Sequence, residues 1–451
     1  MSETFVVVGG DAAGMSAASK ARREDPDLDV VVFEKGDWVS YAACGMPYYV
    51  KGDVDSLDDL VQVTPDEFRT ERDIDLRTNH EVVGIDPEAR TVTVAADDDR
   101  FEQPYDQLLV ATGARAIEPP FDGMGLEGVF TIHDMDEADA IHTHVTESHP
   151  ETAAIVGGGY VGIEMAEALA SRGLDVHLFE MLPHVLQPFG ESVAEVVEDH
   201  LRDRGVELHL DTPVEGFGGE DNVTAVDLES GTVPADIVVV GVGVEPNAEL
   251  AADAGIEVGE TGAIATDEYG RTNYETVFAA GDCAEATNVV TGEPDHVPLA
   301  LTANRSGRAI GQTVTGTPTP VGGTAGTAIV KAFDLGAART GILDESRARE
   351  AGFDPVSVEI TAPTRAHYYP GAEELTVTLV ADRDSERVLG ASVVGREGVK
   401  RIDTVATALH SGLTVPDVEQ LDLAYAPPFS PVWDPVATAA RVLSGSLERP
   451  E

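Results

Sequence analysis

The sequence predicts an α/β protein: two Rossmann-like βαβ units in one chain, followed by a C-terminal domain of α+β type. Three observations predict it. A short apolar run at residues 4–8 meets a glycine turn and then an alanine-rich helical stretch. The same order recurs about 150 residues later. Beyond about residue 325 the glycine fingerprints stop, and strand-type alternation takes over.

The first unit reads as a strand at 4–8, a turn at Gly9 and Gly10, a helix at 12–23 and a strand at 30–33. Glycine permits the sharp turn and the close approach of a pyrophosphate to a helix N-terminus, where free N–H groups favour anions. Glu34 lies 20 residues after Gly14, at the end of the second strand, where an acid takes ribose hydroxyls. Asp11 occupies the middle-glycine position of the G-x-G-x-x-G pattern, so its carboxylate must point away from a phosphate. Strands are expected at 90–95 and 101–110, around a polar turn at 97–99.

The second unit reads as a strand at 153–156, a loop at 157–162, a helix at 160–172 and a strand at 175–179. Gly157, Gly159 and Gly162 complete the fingerprint. Glu180 follows Gly162 by 18 residues. An acid there repels a 2′-phosphate, and residues 181–184 offer no arginine for one, so NADH is favoured and NADPH remains possible. Two such units predict two cofactors handing over electrons, FAD in the first and NADH in the second. Segments 105–114 and 276–282 read as further FAD-side elements. Asp282 would accept a ribityl hydroxyl or cap the next helix. In the last third, strands at 375–380 and 388–394 precede a helix at 398–411, and 316–326 reads as the linker. The expected domains are an FAD-binding domain at 1–115 and 245–325, an NAD(P)H-binding domain at 116–244, and a C-terminal α+β domain at 326–451.

Cys44 sits in segment 40–49, with Pro47 suited to the first turn of a helix. A cysteine at a helix N-terminus is expected to have a lowered pKa. Residue 39 is Val39, so no second cysteine stands five positions earlier, and Cys283 reads as packing. The twelve histidines show no metal-ligand spacing, and no metal site is expected.

Composition narrows the classes. The 451 residues carry 82 acids and 29 bases, a net charge of −53. Such a surface repels nucleic acid and anionic membranes. No apolar run reaches the roughly 18 residues of a membrane span. The first residues lack a basic region, so a signal peptide is not expected, and two cysteines form no disulfide framework. A cytoplasmic protein is expected. The acidic excess, with only five lysines, reads as adaptation to molar intracellular salt, where the Debye length is about 3 Å.

At these residues the sequence resembles the pyridine nucleotide–disulfide oxidoreductase family. Within it, the chain is similar to the CoA-disulfide reductase branch, which includes NADH oxidases and NAD(P)H-dependent sulfur or persulfide reductases. The resemblance covers essentially the whole chain. It is carried by segments 6–18, 40–49, 105–114, 157–162, 241–247, 280–282, 297–300, 367–371 and 425–430. It implies FAD contacts at Gly9, Gly10, Ala13, Gly14, Glu34, Lys35, Val82, Thr112, Gly113, Gly281, Asp282 and Ala300. It implies nicotinamide-nucleotide contacts at Gly157, Gly159, Tyr160, Val161, Gly162, Glu164, Glu180 and Gly243. Cys44 would be the redox nucleophile, with Arg22, Ser40 and Arg72 contacting CoA. Tyr368 and Tyr425 would reach Cys44 from the partner subunit of a homodimer, Tyr425 as proton donor.

The chain departs from the family pattern at Ala43, Phe429 and Trp433. Ala12 stands where oxidase and peroxidase relatives carry a histidine, which argues against efficient oxygen reduction. The expected function is therefore an FAD-dependent NAD(P)H:disulfide oxidoreductase that reduces CoA disulfide through one cysteine. The alternatives are an NADH oxidase or a sulfur or CoA-persulfide reductase and, more remotely, a slow flavin-bearing redox sensor.

Overall fold

The computed structural model describes residues 3–96 and 99–447. Asp97 and Asp98 of the expected polar turn, and the last four residues of the expected C-terminal domain, lie outside the described residues.

Five parallel strands form the first sheet, in the order Val277–Ala279, Gln107–Val110, Thr4–Val8, Asp29–Phe33 and Asp75–Arg77. Phe5, Val6 and Val7 are fully buried. A parallel strand covered on both faces needs a continuous apolar run, and this segment supplies one. Helix α1 (Ala12–Glu24) follows directly. Further along come the short helix α2 (Met46–Lys51) and then α3 (Tyr160–Ser171), which follows the second glycine loop.

A second all-parallel sheet has the order Glu207–His209, Asp175–Phe179, Thr152–Val156, Ile237–Val240 and Val129–Thr131. Each parallel sheet is accompanied by a three-stranded antiparallel meander, over Glu81–Pro104 and over Val214–Pro234. The duplication thus extends beyond the glycine loops. The expected strand at 101–110 divides in two. Asp99–Pro104 belongs to a meander and Gln107–Val110 to the parallel sheet. The chain crosses at Asp106, whose carboxylate accepts the Thr4 N–H at 2.8 Å.

Helix α4 (Ala300–Thr313) lies against α1 at very short range. A Cβ on Gly307 would fall 2.1 Å from the Ala13 carbonyl oxygen, and one on Gly311 2.3 Å from that of Ala17. Glycines one turn apart therefore set backbone on backbone and fix the two helices that wall the site.

The C-terminal sheet is antiparallel, with Val388–Gly395 at its centre and every residue of that strand buried. Helices Ile402–Ser411 and Pro435–Leu447 pack on it. The expected start of the first at 398 is a 3-10 turn, Val399–Arg401. Ala328, Val330, Leu335 and Val394 share one apolar core with α3 and the second parallel sheet.

One buried acid holds three parts of the chain together. Glu167 on α3 is 3% exposed. It accepts Lys51 of α2 at 3.0 Å, Lys331 at 2.5 Å and the Phe333 N–H at 2.7 Å. Removing both lysines would leave a buried charge uncompensated. No helix among the described residues is long and apolar enough to cross a membrane.

Candidate active site

The two glycine loops are built alike. Gly9 and Gly157 hold φ of 109° and 110°, the left-handed side that glycine alone adopts freely. A Cβ on Gly14 would stand 1.9 Å from the Gly9 carbonyl, and one on Gly162 1.9 Å from that of Gly157. These glycines are demanded by the chain itself. Gly159 is different: a Cβ there meets nothing within 4 Å. Protein packing does not call for that glycine, whereas a phosphate at the α3 N-terminus does, and the loop fits a dinucleotide.

Glu34 receives the Gly10 N–H at 2.7 Å and the Gly36 N–H at 2.8 Å. Glu180 repeats this with Gly158 at 2.7 Å and Leu182 at 2.9 Å. Each acid pins its own loop and keeps lone pairs for a ribose hydroxyl. Asp11 accepts the Tyr41 N–H at 3.2 Å, so its carboxylate turns toward the cysteine segment. Burial pushes its pKa up to about 6.

Asp282 follows strand Val277–Ala279, and burial raises its pKa while His133 and His296 oppose. Among the described residues no protein donor meets its carboxylate. A half-buried acceptor of this kind fits a ligand hydroxyl. Thr112 donates to the Asn247 carbonyl at 2.7 Å and Asn247 returns a bond at 2.9 Å, which clamps the turn at Gly113. Gly281 lies against Ala13, and a Cβ on it would reach the Ala13 Cβ at 3.1 Å. Val82 is buried in strand Glu81–Asp86, while Lys35 and Gly243 are exposed.

Cys44 opens onto a cavity of about 620 Å³. The cavity wall contains Ser40 and Arg72, as expected, together with Ala300 and Asp11. Ser40 holds φ of 49°, an uncommon region for a side chain-bearing residue, and its N–H donates to the Gly10 carbonyl at 3.0 Å. Arg72 donates to Ser19 Oγ at 3.1 Å and lies 4.8 Å over the Phe68 ring.

The structure corrects two expectations here. Arg22 does not line the cavity. Its guanidinium binds the Pro26 and Leu28 carbonyls at 2.5 and 3.0 Å and the Asp73 carboxylate. Arg23 lines it instead, because one residue on a helix turns the side chain by about 100°. The signal was periodic: Ala12, Ser16, Ser19 and Arg23 form one stripe of α1, and Ala300, Asn304 and Arg308 one stripe of α4, all on the cavity. Asn304, Arg308 and Arg23 were missed for want of that pairing.

The second correction concerns the thiol. Cys44 lies in the 3-10 turn Ala43–Gly45, before a helix of only six residues. Its pKa is raised, by burial first and then by Glu164 and Asp282. A single turn and a half of helix does not outweigh desolvation and nearby carboxylates. Cys283 is buried against the Val110 and Ala280 carbonyls, and both cysteines are free.

At the second glycine loop, Tyr160 begins α3, Val161 is exposed and Gly162 buried. The Tyr160 hydroxyl accepts from Arg339 at 3.3 Å. Glu164, one turn on, accepts the Tyr48 hydroxyl at 3.1 Å, and burial pushes its pKa up to about 7. Tyr48 follows Cys44 by one turn, so α2 and α3 meet beside the thiol.

Tyr368 and Tyr425 do not line this chain's cavity. Their hydroxyls lie 3.3 Å apart on the C-terminal domain, where both are exposed, as are Phe429, Val432 and Trp433. The histidines show no metal-ligand spacing along the chain, yet among the described residues His177 and His209 meet Glu207 at the edge of the second sheet.

Comparison with known proteins places this geometry. A family model described as "Pyridine nucleotide-disulphide oxidoreductase" matches residues 3–307, and one for the family's dimerisation domain matches 327–436. The chain is 41% identical over 444 residues to an NAD(P)H coenzyme A polysulfide/persulfide reductase of Pyrococcus horikoshii, covering 98% of this chain and 99% of that protein. It is 33% identical over 431 residues to a coenzyme A disulfide reductase of Staphylococcus haemolyticus, covering 94% and 96%. The solved structure of an NAD-dependent persulfide reductase from A. fulgidus superposes with a TM-score of 0.95 at 42% identity, covering 98% of this chain and 83% of that one.

Proposed function

We propose that this chain, which belongs to the pyridine nucleotide-disulphide oxidoreductase family, reduces a sulfur–sulfur bond carried by CoA, with Cys44 as its nucleophile. It is an FAD-dependent oxidoreductase of the NAD(P)H:disulfide type. The observation that carries the acceptor assignment is the cavity at Cys44. In a chain of net charge −53, three guanidinium-bearing residues, Arg23, Arg72 and Arg308, line one space. Such a concentration of bases matches a polyanionic thiol of nucleotide type, held as its disulfide or persulfide.

The first glycine loop with Glu34, Thr112, Gly113, Gly281, Asp282 and Ala300 would hold FAD. The second loop, Gly157–Gly162, with Glu164, Glu180 and Gly243, would hold NADH, with Tyr160 at the first position of α3 beside it. Bound there, the two cofactors would supply the two electrons that reduce the Cys44 mixed disulfide. Cys44 attacks the S–S bond, one CoA thiolate leaves, and a mixed disulfide forms. Two electrons then cleave that disulfide, releasing the second CoA thiol and the Cys44 thiolate. The first attack requires the Cys44 thiolate, so a thiol whose pKa burial raises must give up its proton before that step. Over the cycle one disulfide, two electrons and two protons give two thiols.

Tyr425 delivers one proton and Tyr368 positions it, both from a second copy of the chain docked through the exposed aromatic surface. A homodimer thus completes the site. The relatives' names favour a second acceptor, CoA persulfide, which by the same route yields CoA thiol and hydrogen sulfide. Anaerobic reduction with NADH followed by CoA disulfide, CoA persulfide or oxygen tests the assignment. Reoxidation by a CoA species at a far higher kcat/KM than by oxygen is expected, and preference for oxygen would overturn it. The acidic surface is assigned to work in concentrated salt, and full stability in dilute buffer would contradict that.

A further inference from the structure

We propose that His177, Glu207 and His209 form a binding site for a divalent transition metal of the zinc type, at the edge of the nicotinamide-side sheet and apart from the cysteine cavity. The placement follows from strand geometry. Side chains two apart on a strand share a face, so Glu207 and His209 of strand Glu207–His209 point the same way. The neighbouring strand Asp175–Phe179 runs parallel, with His177 in register with Glu207 and Phe179 with His209. All three donors therefore stand on one face.

The distances fit an ion. His177 Nδ1 and His209 Nε2 share a hydrogen bond at 3.1 Å, whose proton an ion would replace, and they lie 3.6 Å from the two different oxygens of the Glu207 carboxylate. Ligands about 2.0–2.1 Å from a tetrahedral ion stand about 3.3 Å from one another. At 3.6 Å the carboxylate is too far to hydrogen-bond either ring, yet it faces both. Two imidazoles and a carboxylate suit zinc, with the fourth position open to water. The rings are already held: His209 stacks on Phe179 at 4.4 Å and 9°. Both imidazoles are about 20% exposed while Glu207 is 65% exposed, so the carboxylate forms the entrance. The site also adjoins the nucleotide acid, because the His209 carbonyl accepts the Glu180 N–H at 2.9 Å.

The test is a titration of the FAD-loaded protein with Co²⁺ after EDTA treatment, in a Cys44→Ser background that removes the competing thiol. One saturable ion per chain is expected, with visible tetrahedral ligand-field bands that excess Zn²⁺ abolishes. Glu207→Gln, at an exposed position that does not endanger folding, should weaken binding about tenfold or more, and His209→Gln should remove the bands. Absence of a saturable visible band, or a band of unchanged affinity in Glu207→Gln, would overturn the proposal.

Discussion

The carboxylate of Asp11 receives the backbone N–H of Tyr41 at 3.2 Å. An acid in the middle-glycine position of the first loop thus ties that turn to the segment that carries Cys44. Asp11→Ala should leave that N–H unpaired, at about 1–3 kcal/mol. FAD content should be retained while disulfide turnover and Tm fall together. Unchanged turnover in the variant would show that the bond does not position the cysteine.

Gly159→Ala separates packing from ligand contact. A Cβ meets no protein atom within 4 Å, and φ of −78° suits any residue. Tm should stay within about a degree, while KM for NADH rises about tenfold or more. Equal KM would mean that the phosphate lies elsewhere.

Arg72→Ala and Arg22→Ala should behave oppositely. Arg72 lines the cavity, and loss of a charge-assisted contact of about 1.5–3 kcal/mol should raise KM for the CoA substrate roughly tenfold to a hundredfold. Arg22 faces the Pro26 and Leu28 carbonyls, so its loss should lower Tm and spare KM. Steady-state kinetics on the pair checks both.

Glu164 gives a pH dependence with a definite sign. Its folded pKa of about 7 lies above the ordinary 4.5, so its ionisation favours the unfolded chain. The stability associated with its protonated form is present below about pH 4.5 and is lost as pH rises through about 7. Glu164→Gln keeps an acceptor for Tyr48 and removes the charge. It should melt above wild type at pH 8, with the gap closing toward pH 4.5. A constant gap across that range would contradict the assignment.

Much of the frame was legible because local chemistry writes it. Valine runs, glycine turns and the acids Glu34 and Glu180 lie within single βαβ units, and each is visible at fixed spacing. The cavity wall was not legible to the same degree. Arg23 and Arg308 share a wall only because Gly307 and Gly311 let α4 lie on α1, a contact of about 290 residues' separation that no local pattern states. The Cys44 pKa was misjudged for a similar reason. The helix start is local, but Glu164 and Asp282 arrive from distant parts of the chain. The His177–Glu207–His209 cluster depends on strand register, which spacing alone does not reveal. Tyr368 and Tyr425 lie on an exposed surface, and their assigned role depends on a second chain.

The most direct test of the central claim is anaerobic turnover of CoA disulfide and CoA persulfide by the Cys44→Ser variant, beside FAD absorbance and its bleaching by NADH. The variant should bind FAD and bleach with NADH as wild type does, yet turn over neither CoA substrate. Turnover at the wild-type rate without the Cys44 sulfur would contradict the account.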